Sequence, residues 1–323
     1  MKIEDIVYGD EKIKEEVLIE LINCKSIQRL RGLAQYWLPD EYYHKKGFSR
    51  YEHSIGVLIF LRKLGAGLDE QIAGLLHDVS HTAFSHVVDW VIGDPTKEDH
   101  QDKNHLKIIE NSEIPRILRN HFFDYRKISE LERFSLLERE TPGLCADRVD
   151  YALREIATDG EEEISKKLFS FLGSRDGNLF FNNVYIAEEF GRIYSNLNKV
   201  HWAGVEARTR YYLLANILKR ALNNKIISRE DLYKTDLELI DVLYKSKDGE
   251  IIFGLDFLKN KKIAKEGNNG NGIYLRKKYR WVDPEVLCFG DIRRLSELSE
   301  NYRKFLEEEK SFLENNCYSE LLK

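Results

Sequence analysis

The stretch His77-Asp78-Val79-Ser80-His81-Thr82-Ala83-Phe84-Ser85-His86 decides how this chain is read. It follows Ile72-Ala73-Gly74-Leu75-Leu76, an apolar run that predicts a buried helix over 69–77 with Asp69 as N-cap. A histidine and an aspartate side by side at the buried end of such a helix are costly to desolvate unless something pairs with them. A divalent metal would do so, because imidazole nitrogen with carboxylate oxygen suits Mn, Fe, Co, Ni or Zn better than an all-oxygen site would. A hydrogen-bonded His–Asp pair in the core satisfies the same atoms, and the dipeptide alone does not choose between the two. His77 and His81 share the i, i+4 spacing of a zincin helix, but Asp78 stands where that chemistry needs a glutamate as general base.

Outward from this block, histidine is unevenly spread. Seven of the nine (His44, His53, His77, His81, His86, His100, His105) lie between positions 44 and 105, where an even spread would put about two. His53 sits in Arg50-Tyr51-Glu52-His53-Ser54-Ile55-Gly56-Val57, where a loop enters an apolar helix over 52–64 that stops at Gly65 and Gly67. A third acidic candidate, Asp147, lies in Asp147-Arg148-Val149-Asp150-Tyr151, inside an apolar-periodic helix over 143–157. His53, His77-Asp78 and Asp147 are thus polar groups on three otherwise apolar helices. Two imidazoles and two carboxylates leave metal positions open for water and substrate, as a hydrolytic site requires.

The rest of the chain sets the frame. With 323 residues, 42% of them apolar, it can bury a sizeable core, and only five prolines favour long helices. Helical periodicity also covers 11–35, 82–92, 104–110, 127–139 and 185–223, with a charged terminal helix over 293–315. Strand-like runs occur at 179–181, 273–275, 279–282 and 286–288, and 259–272 reads as a solvated loop. A change of character near Asp176-Gly177-Asn178 divides a helical core, 1–175, from a helical extension with a small sheet, 176–323, packed on it. The expected fold class is therefore mainly α, with a C-terminal α+β extension. A formal net charge of −5 excludes a globally basic nucleic-acid binder but not a local basic pocket, so nucleic acid is possible and not indicated. Four scattered cysteines argue against a disulfide scaffold and a cysteine zinc site. No apolar run is long enough to span a membrane and the N-terminus carries no apolar leader, so a cytoplasmic address is expected.

These motifs together resemble the HD superfamily of metal-dependent phosphohydrolases. Within it the chain is most similar to the deoxynucleoside triphosphate triphosphohydrolases. The family's scattered H…HD…D pattern is matched by His53, His77-Asp78 and Asp147; its Gln-Arg-Leu-Arg segment followed by Gln by Ile27-Gln28-Arg29-Leu30-Arg31 and Gln35; its HDxGHxPFSH block by 77–86; and its Asp-Lys/Arg-x-Asp-Tyr helix by 147–151. The match covers about residues 25–157; later, the helix over 200–222 and Leu232-Tyr233-Lys234-Thr235-Asp236 are similar to the family's later helices.

The resemblance implies roles. His53, His77, Asp78 and Asp147 would be the metal ligands, for a divalent transition metal (Mn, Fe, Co, Ni or Zn) with Mg as a possible companion. His86, Asp89 and His100 would form the acid–base group, with a carboxylate three residues along the helix from His86 to fix its tautomer. His81 would line or bridge the metal site. Arg50 and Arg148 would contact phosphate oxygens. Gln35 would touch the sugar, and Tyr151 and Glu155, on one helix face with Asp147, would stack against and hydrogen-bond the nucleoside. The implied reaction is attack of a metal-activated hydroxide on the α-phosphorus of a (deoxy)nucleoside triphosphate, releasing nucleoside and triphosphate, in a homo-oligomer.

The chain departs from the pattern at Ser80, at Thr82-Ala83, at Tyr36 where the family places a leucine against the sugar, at Gln101, and at Glu155 in place of Asp. These changes leave the metal set whole and bear on sugar and base preference. The alternatives are a phosphodiesterase or nucleotidase on the same site, acting on a cyclic or oligonucleotide substrate, and a catalytically silent nucleotide-sensing protein.

Overall fold

The structure, a computed structural model, describes residues 1–95, 97–268, 270–275, 280–315 and 317–322. The chain opens with a charged hairpin, β1 (Lys2–Asp5) and β2 (Gly9–Lys12), then the helices α1 (Glu16–Asn23), α2 (Lys25–Arg29), α3 (Arg50–Lys63), α4 (Leu68–Leu76) and α5 (Val87–Ile92). Four more complete the first part: α6 (His100–Glu110), α7 (Ile114–Asn120), α8 (Tyr125–Ser129) and α9 (Ala146–Thr158). Next come α10 (Glu162–Ser170), the hairpin β3 (Leu172–Arg175) and β4 (Asn178–Phe181), and α11 (Val184–Leu197). The remainder is α12 (Val205–Asn223), α13 (Asp236–Lys245), α14 (Gly249–Leu258), β5 (Ala264–Glu266), β6 (Ile273–Tyr274), β7 (Glu285–Cys288), β8 (Asp291–Arg294), α15 (Leu295–Leu298), α16 (Glu300–Asn315) and β9 (Tyr318–Leu321).

The fold is mainly helical with a few short strands, as the sequence predicts. A four-stranded sheet runs β3-β4-β7-β8 and a three-stranded one β5-β9-β6. The turn at Asp176-Gly177, where the sequence changes character, is the tip of the β3–β4 hairpin. None of the described helices is long and apolar enough to cross a membrane.

Several elements differ from the periodicity, each for a local reason. The segment 11–35 becomes β2, α1, α2 and a 3-10 turn, because residues 9–12 pair with β1. The helix expected over 127–139 ends at Ser129 apart from one 3-10 turn. There the Glu70 carboxylate accepts the N–H of Leu136 at 2.8 Å and shares that of Leu137, at 3.1 Å, with the Phe134 carbonyl. The helix expected over 185–223 is two helices joined by a π-turn at Asn198–Trp202. Residues 82–86 form turns rather than a first helical turn, since Phe84 and Ser85 are left-handed (φ 58° and 49°). The terminal helix starts late, after β8 and α15. Of the strand expected at 279–282, Tyr279 lies outside the described residues and 280–282 are irregular.

Two apolar clusters form the core. One gathers α1–α4, α7 and α9–α11; the other gathers the Tyr36–Phe48 loop, α5 and α12–α14. Helix α3 is held at its start by a capping box, Ser49 with Glu52, and packs on both α4 and α9. Gly74 lets α4 close on it: a Cβ there would come within 2.4 Å of Leu61.

Candidate active site

The three helices with misplaced polar groups bring those groups together. His53 lies in the first turn of α3, His77 caps the C-terminus of α4, and Asp147 lies in the first turn of α9. The Nε2 atoms of His53 and His77 are 3.1 Å apart. An Asp147 oxygen stands 2.9 Å from the first and 3.5 Å from the second. Asp78 is adjacent: its Oδ1 is 3.5 Å from His77 Nε2 and 3.2 Å from His81 Nε2, and its Oδ2 accepts from Arg50 Nη1 at 2.7 Å.

The ring protons are fixed from behind. His77 Nδ1 donates to the Gly74 carbonyl at 2.7 Å, and His53 Nδ1 donates to Asp150 at 2.7 Å. In neutral imidazoles both Nε2 atoms are then lone-pair acceptors, aimed at each other and at a carboxylate. Three acceptors converging without a donor need a cation, and nitrogen with oxygen donors fits a divalent transition metal. The carboxylates around the rings favour positive charge at this point, whether a metal or a ring proton supplies it. Burial alone would lower the pKa of both histidines, but Asp147 and Asp150 hold His53 up at about 9, and Asp78 and Asp147 raise His77. Burial would raise Asp147, yet the two imidazoles hold it well below the usual carboxylate range.

His77, Asp78 and Asp147 open into a cleft of about 890 Å³ whose lining also includes His81, His86, Gln35, Arg50, Arg148, Tyr151 and Glu155, while His53 is not part of the lining. The expected site residues fare differently within it. His86 stands beside His81, ring centroids 4.9 Å apart. Burial lowers the pKa of both to about 4, so each is neutral at pH 7. Asp89 sits behind His86, 3.6 Å from its Nδ1, and is buried.

His100 is not in the lining. It begins α6, its backbone N–H donates to Asp89 at 3.0 Å, and its ring turns along the helix to Asn104. Arg50 also donates to Ser85 at 2.7 Å. Arg148 commits its guanidinium to the Gly143 and Arg139 carbonyls and to the Cys145 sulfur. Tyr151 is half-buried and bonds the Tyr194 hydroxyl. Glu155 reaches the lining but accepts from Lys45, His201 and Trp202; against the upward push of burial, His201 and Lys45 hold its pKa at about 2. The oxygen of the Gln35 amide is buried without a hydrogen-bond partner among the described residues.

Sequence reasoning missed several contributors. Asp150, fully buried, orients His53 and is itself paired with Arg154, which also reaches Asp5 at 2.9 Å. Asp150 lies three residues after Asp147 in the same motif, but that position carries no signal of its own role. Arg280, paired with Glu98, enters the cleft from the C-terminal part. His105, which had no role in the sequence, lines the cleft with Ser80 3.2 Å from its Nδ1. Trp37, Tyr194, Trp202 and Tyr211 add aromatic rings to the lining.

Known proteins place this arrangement. The HD domain family profile matches residues 50–154. The chain is 37% identical to the uncharacterized protein YdhJ of Bacillus subtilis (strain 168), over all of both chains. It is 28% identical to the metal-dependent phosphohydrolase cns2 of Cordyceps militaris, over 90% of this chain and 86% of that one. It is 23% identical to the deoxynucleoside triphosphate triphosphohydrolase SAMHD1 homolog of Dictyostelium discoideum, over 90% of this chain and 62% of the other.

Proposed function

The chain belongs to the HD superfamily of metal-dependent phosphohydrolases, and from that premise we propose that it cleaves a P–O bond of a nucleotide, with a (deoxy)nucleoside triphosphate as substrate. One observation carries the reading: the Nε2 atoms of His53 and His77 and the Asp147 carboxylate converge within 4.8 Å, with both Nδ1 atoms already committed elsewhere. His53, His77 and Asp147, with Asp78 beside them, would hold the metal. A divalent metal there supplies a Lewis acid for phosphoryl oxygens and lowers the pKa of water toward neutrality.

The chain's own groups do the rest. Arg50, anchored by Asp78 and Ser85, presents fixed positive charge to a phosphoryl oxygen. Neutral His86 takes up a proton as the substrate's negative charge raises its pKa, and returns it to the leaving oxygen. Tyr151 and its aromatic neighbours hold the nucleoside. The Gln35 amide oxygen, without a partner among the described residues, accepts from a sugar hydroxyl, which removes a desolvation cost of about 1–3 kcal/mol. The triphosphate assignment rests on the motif resemblance and on similarity to the Dictyostelium discoideum homolog. A nucleotidase or phosphodiesterase on the same centre is the second reading. It is favoured by the commitment of Arg148 to backbone carbonyls, which leaves fewer donors for a polyphosphate.

The test is a screen of ribo- and deoxynucleoside mono- and triphosphates and cyclic nucleotides with Mn, Mg, Co, Ni and Fe. Inorganic triphosphate with nucleoside is the expected product. Orthophosphate from monophosphates, or monophosphate from a diester, moves the assignment to the second reading. No turnover of any substrate with any metal rejects the enzyme reading.

A further inference from the structure

We propose that Asp236, outside the HD motif, is a positioning residue of this cleft: its single carboxylate fixes both the loop that carries Gln35 and the turn that presents His86. The inference rests on the reading of the cleft as a phosphohydrolase site. Asp236 is 1% exposed. One oxygen accepts the N–H of Ala34 at 2.7 Å and the other accepts the N–H of Phe84 at 2.8 Å. Gln35 follows Ala34 and His86 lies two residues after Phe84, and both line the cleft.

The carboxylate is not needed by its own helix. The start of α13 is already satisfied by a capping box, Thr235 with Glu238. The turn, in contrast, needs holding. Phe84 and Ser85 are consecutive left-handed residues, and neither is glycine; that conformation costs roughly 1–2 kcal/mol per residue. Arg50 holds it through the Ser85 hydroxyl, and two backbone restraints come from the C-terminal segment. The Ala83 N–H donates to the Leu232 carbonyl at 2.7 Å, beside the Asp236 bond to Phe84. Arg29, from the Gln-Arg-Leu-Arg segment, ties the other end by donating to the Val79 and His81 carbonyls at 2.9 and 2.7 Å and to Tyr233. Gly32 allows the close approach, since a Cβ there would lie 2.5 Å from the Thr235 methyl. None of the Asp236, Leu232 or Arg29 bonds involves a side chain of His53, His77, Asp78 or Asp147, so this brace sets the substrate and acid–base groups without holding the metal.

The full chain, loaded with Zn²⁺ and carrying ring-¹⁵N histidine, is compared with D236N, in which one amide oxygen cannot serve both N–H groups. Metal content and the His53 and His77 signals stay as in the wild type, and the His86 signals move. On whichever nucleotide the wild type hydrolyses, kcat per folded molecule falls by roughly tenfold to a hundredfold and KM rises. A merely structural residue would lower only the folded fraction. Wild-type His86 signals, or wild-type kcat and KM per folded molecule, overturn the proposal. If D236N does not fold, D236S is read in the same way. If the wild type turns over no nucleotide, the enzyme reading fails, and the His86 signals still decide the positioning.

Discussion

Asp150 shows what a motif conceals at the scale of one residue. It touches no part of the cleft, yet it holds the His53 Nδ1 proton and so turns Nε2 toward Asp147 and His77. Arg154 donates to both of its oxygens, at 3.1 and 3.0 Å, and keeps it ionised and in place. Asp150→Asn keeps the shape but weakens the acceptor, and metal affinity is expected to drop by roughly 10–100-fold. Competition with a fluorescent chelator measures this; an unchanged dissociation constant would exclude the orienting role. The group proposed to hold the metal was legible as a candidate because burying His77 beside Asp78 at the end of an apolar helix demands a partner. Asp150 was not, because an acidic residue three places from a ligand reads equally well as a solvated helix face. Glu155 marks the opposite limit. Its position on the face of Tyr151 is where the sequence puts it, but its three protein donors lie at Lys45 and in the π-turn, which no local pattern predicts.

At the scale of elements, the site depends on how closely α9 approaches α3. Gly56, one turn after His53, makes that approach possible. A Cβ built on it would lie 1.8 Å from Arg154 Nη2 and 2.2 Å from Asp150 Oδ1. Alanine would gain about 1 kcal/mol in helix propensity, but overpacking typically costs about 1–3 kcal/mol and here it falls on a buried ion pair. Gly56→Ala is therefore expected to lower the melting temperature and the bound metal together. Thermal denaturation with elemental analysis checks it, and an equal or higher melting temperature with full metal would contradict the packing argument. Helices α3, α4 and α9 were legible because their apolar runs and periodicity are local to the sequence. The segment after Ser129 carries the same periodicity but turns the Leu136 N–H to Glu70, a contact 66 residues away in sequence. Local pattern carries no signal of such a competitor, and the same holds for the β1–β2 hairpin, built of short charged strands.

Across the whole molecule, the cleft is lined from both apolar clusters: Tyr36, Trp37 and Tyr211 from one, Tyr194 and Trp202 from the other. Glu155 ties them. It stands on α9 and accepts from Lys45, in the loop of the second cluster, and from His201 and Trp202 in the π-turn before α12. Its pKa lies at about 2, below the 4.5 of an ordinary glutamate, because His201 and Lys45 outweigh burial. A carboxyl depressed in the folded state contributes stability above its unfolded pKa and loses it as pH falls through the folded value. The contribution is thus complete above about pH 5 and declines between about pH 4.5 and 2, with a total on the order of 3 kcal/mol. Glu155→Gln removes it. The difference in unfolding free energy between wild type and variant is expected to be largest at neutral pH and to shrink steadily below pH 4.5. Urea titrations of both proteins across that range measure it. A difference independent of pH would mean that Glu155 holds the two halves by packing rather than by charge.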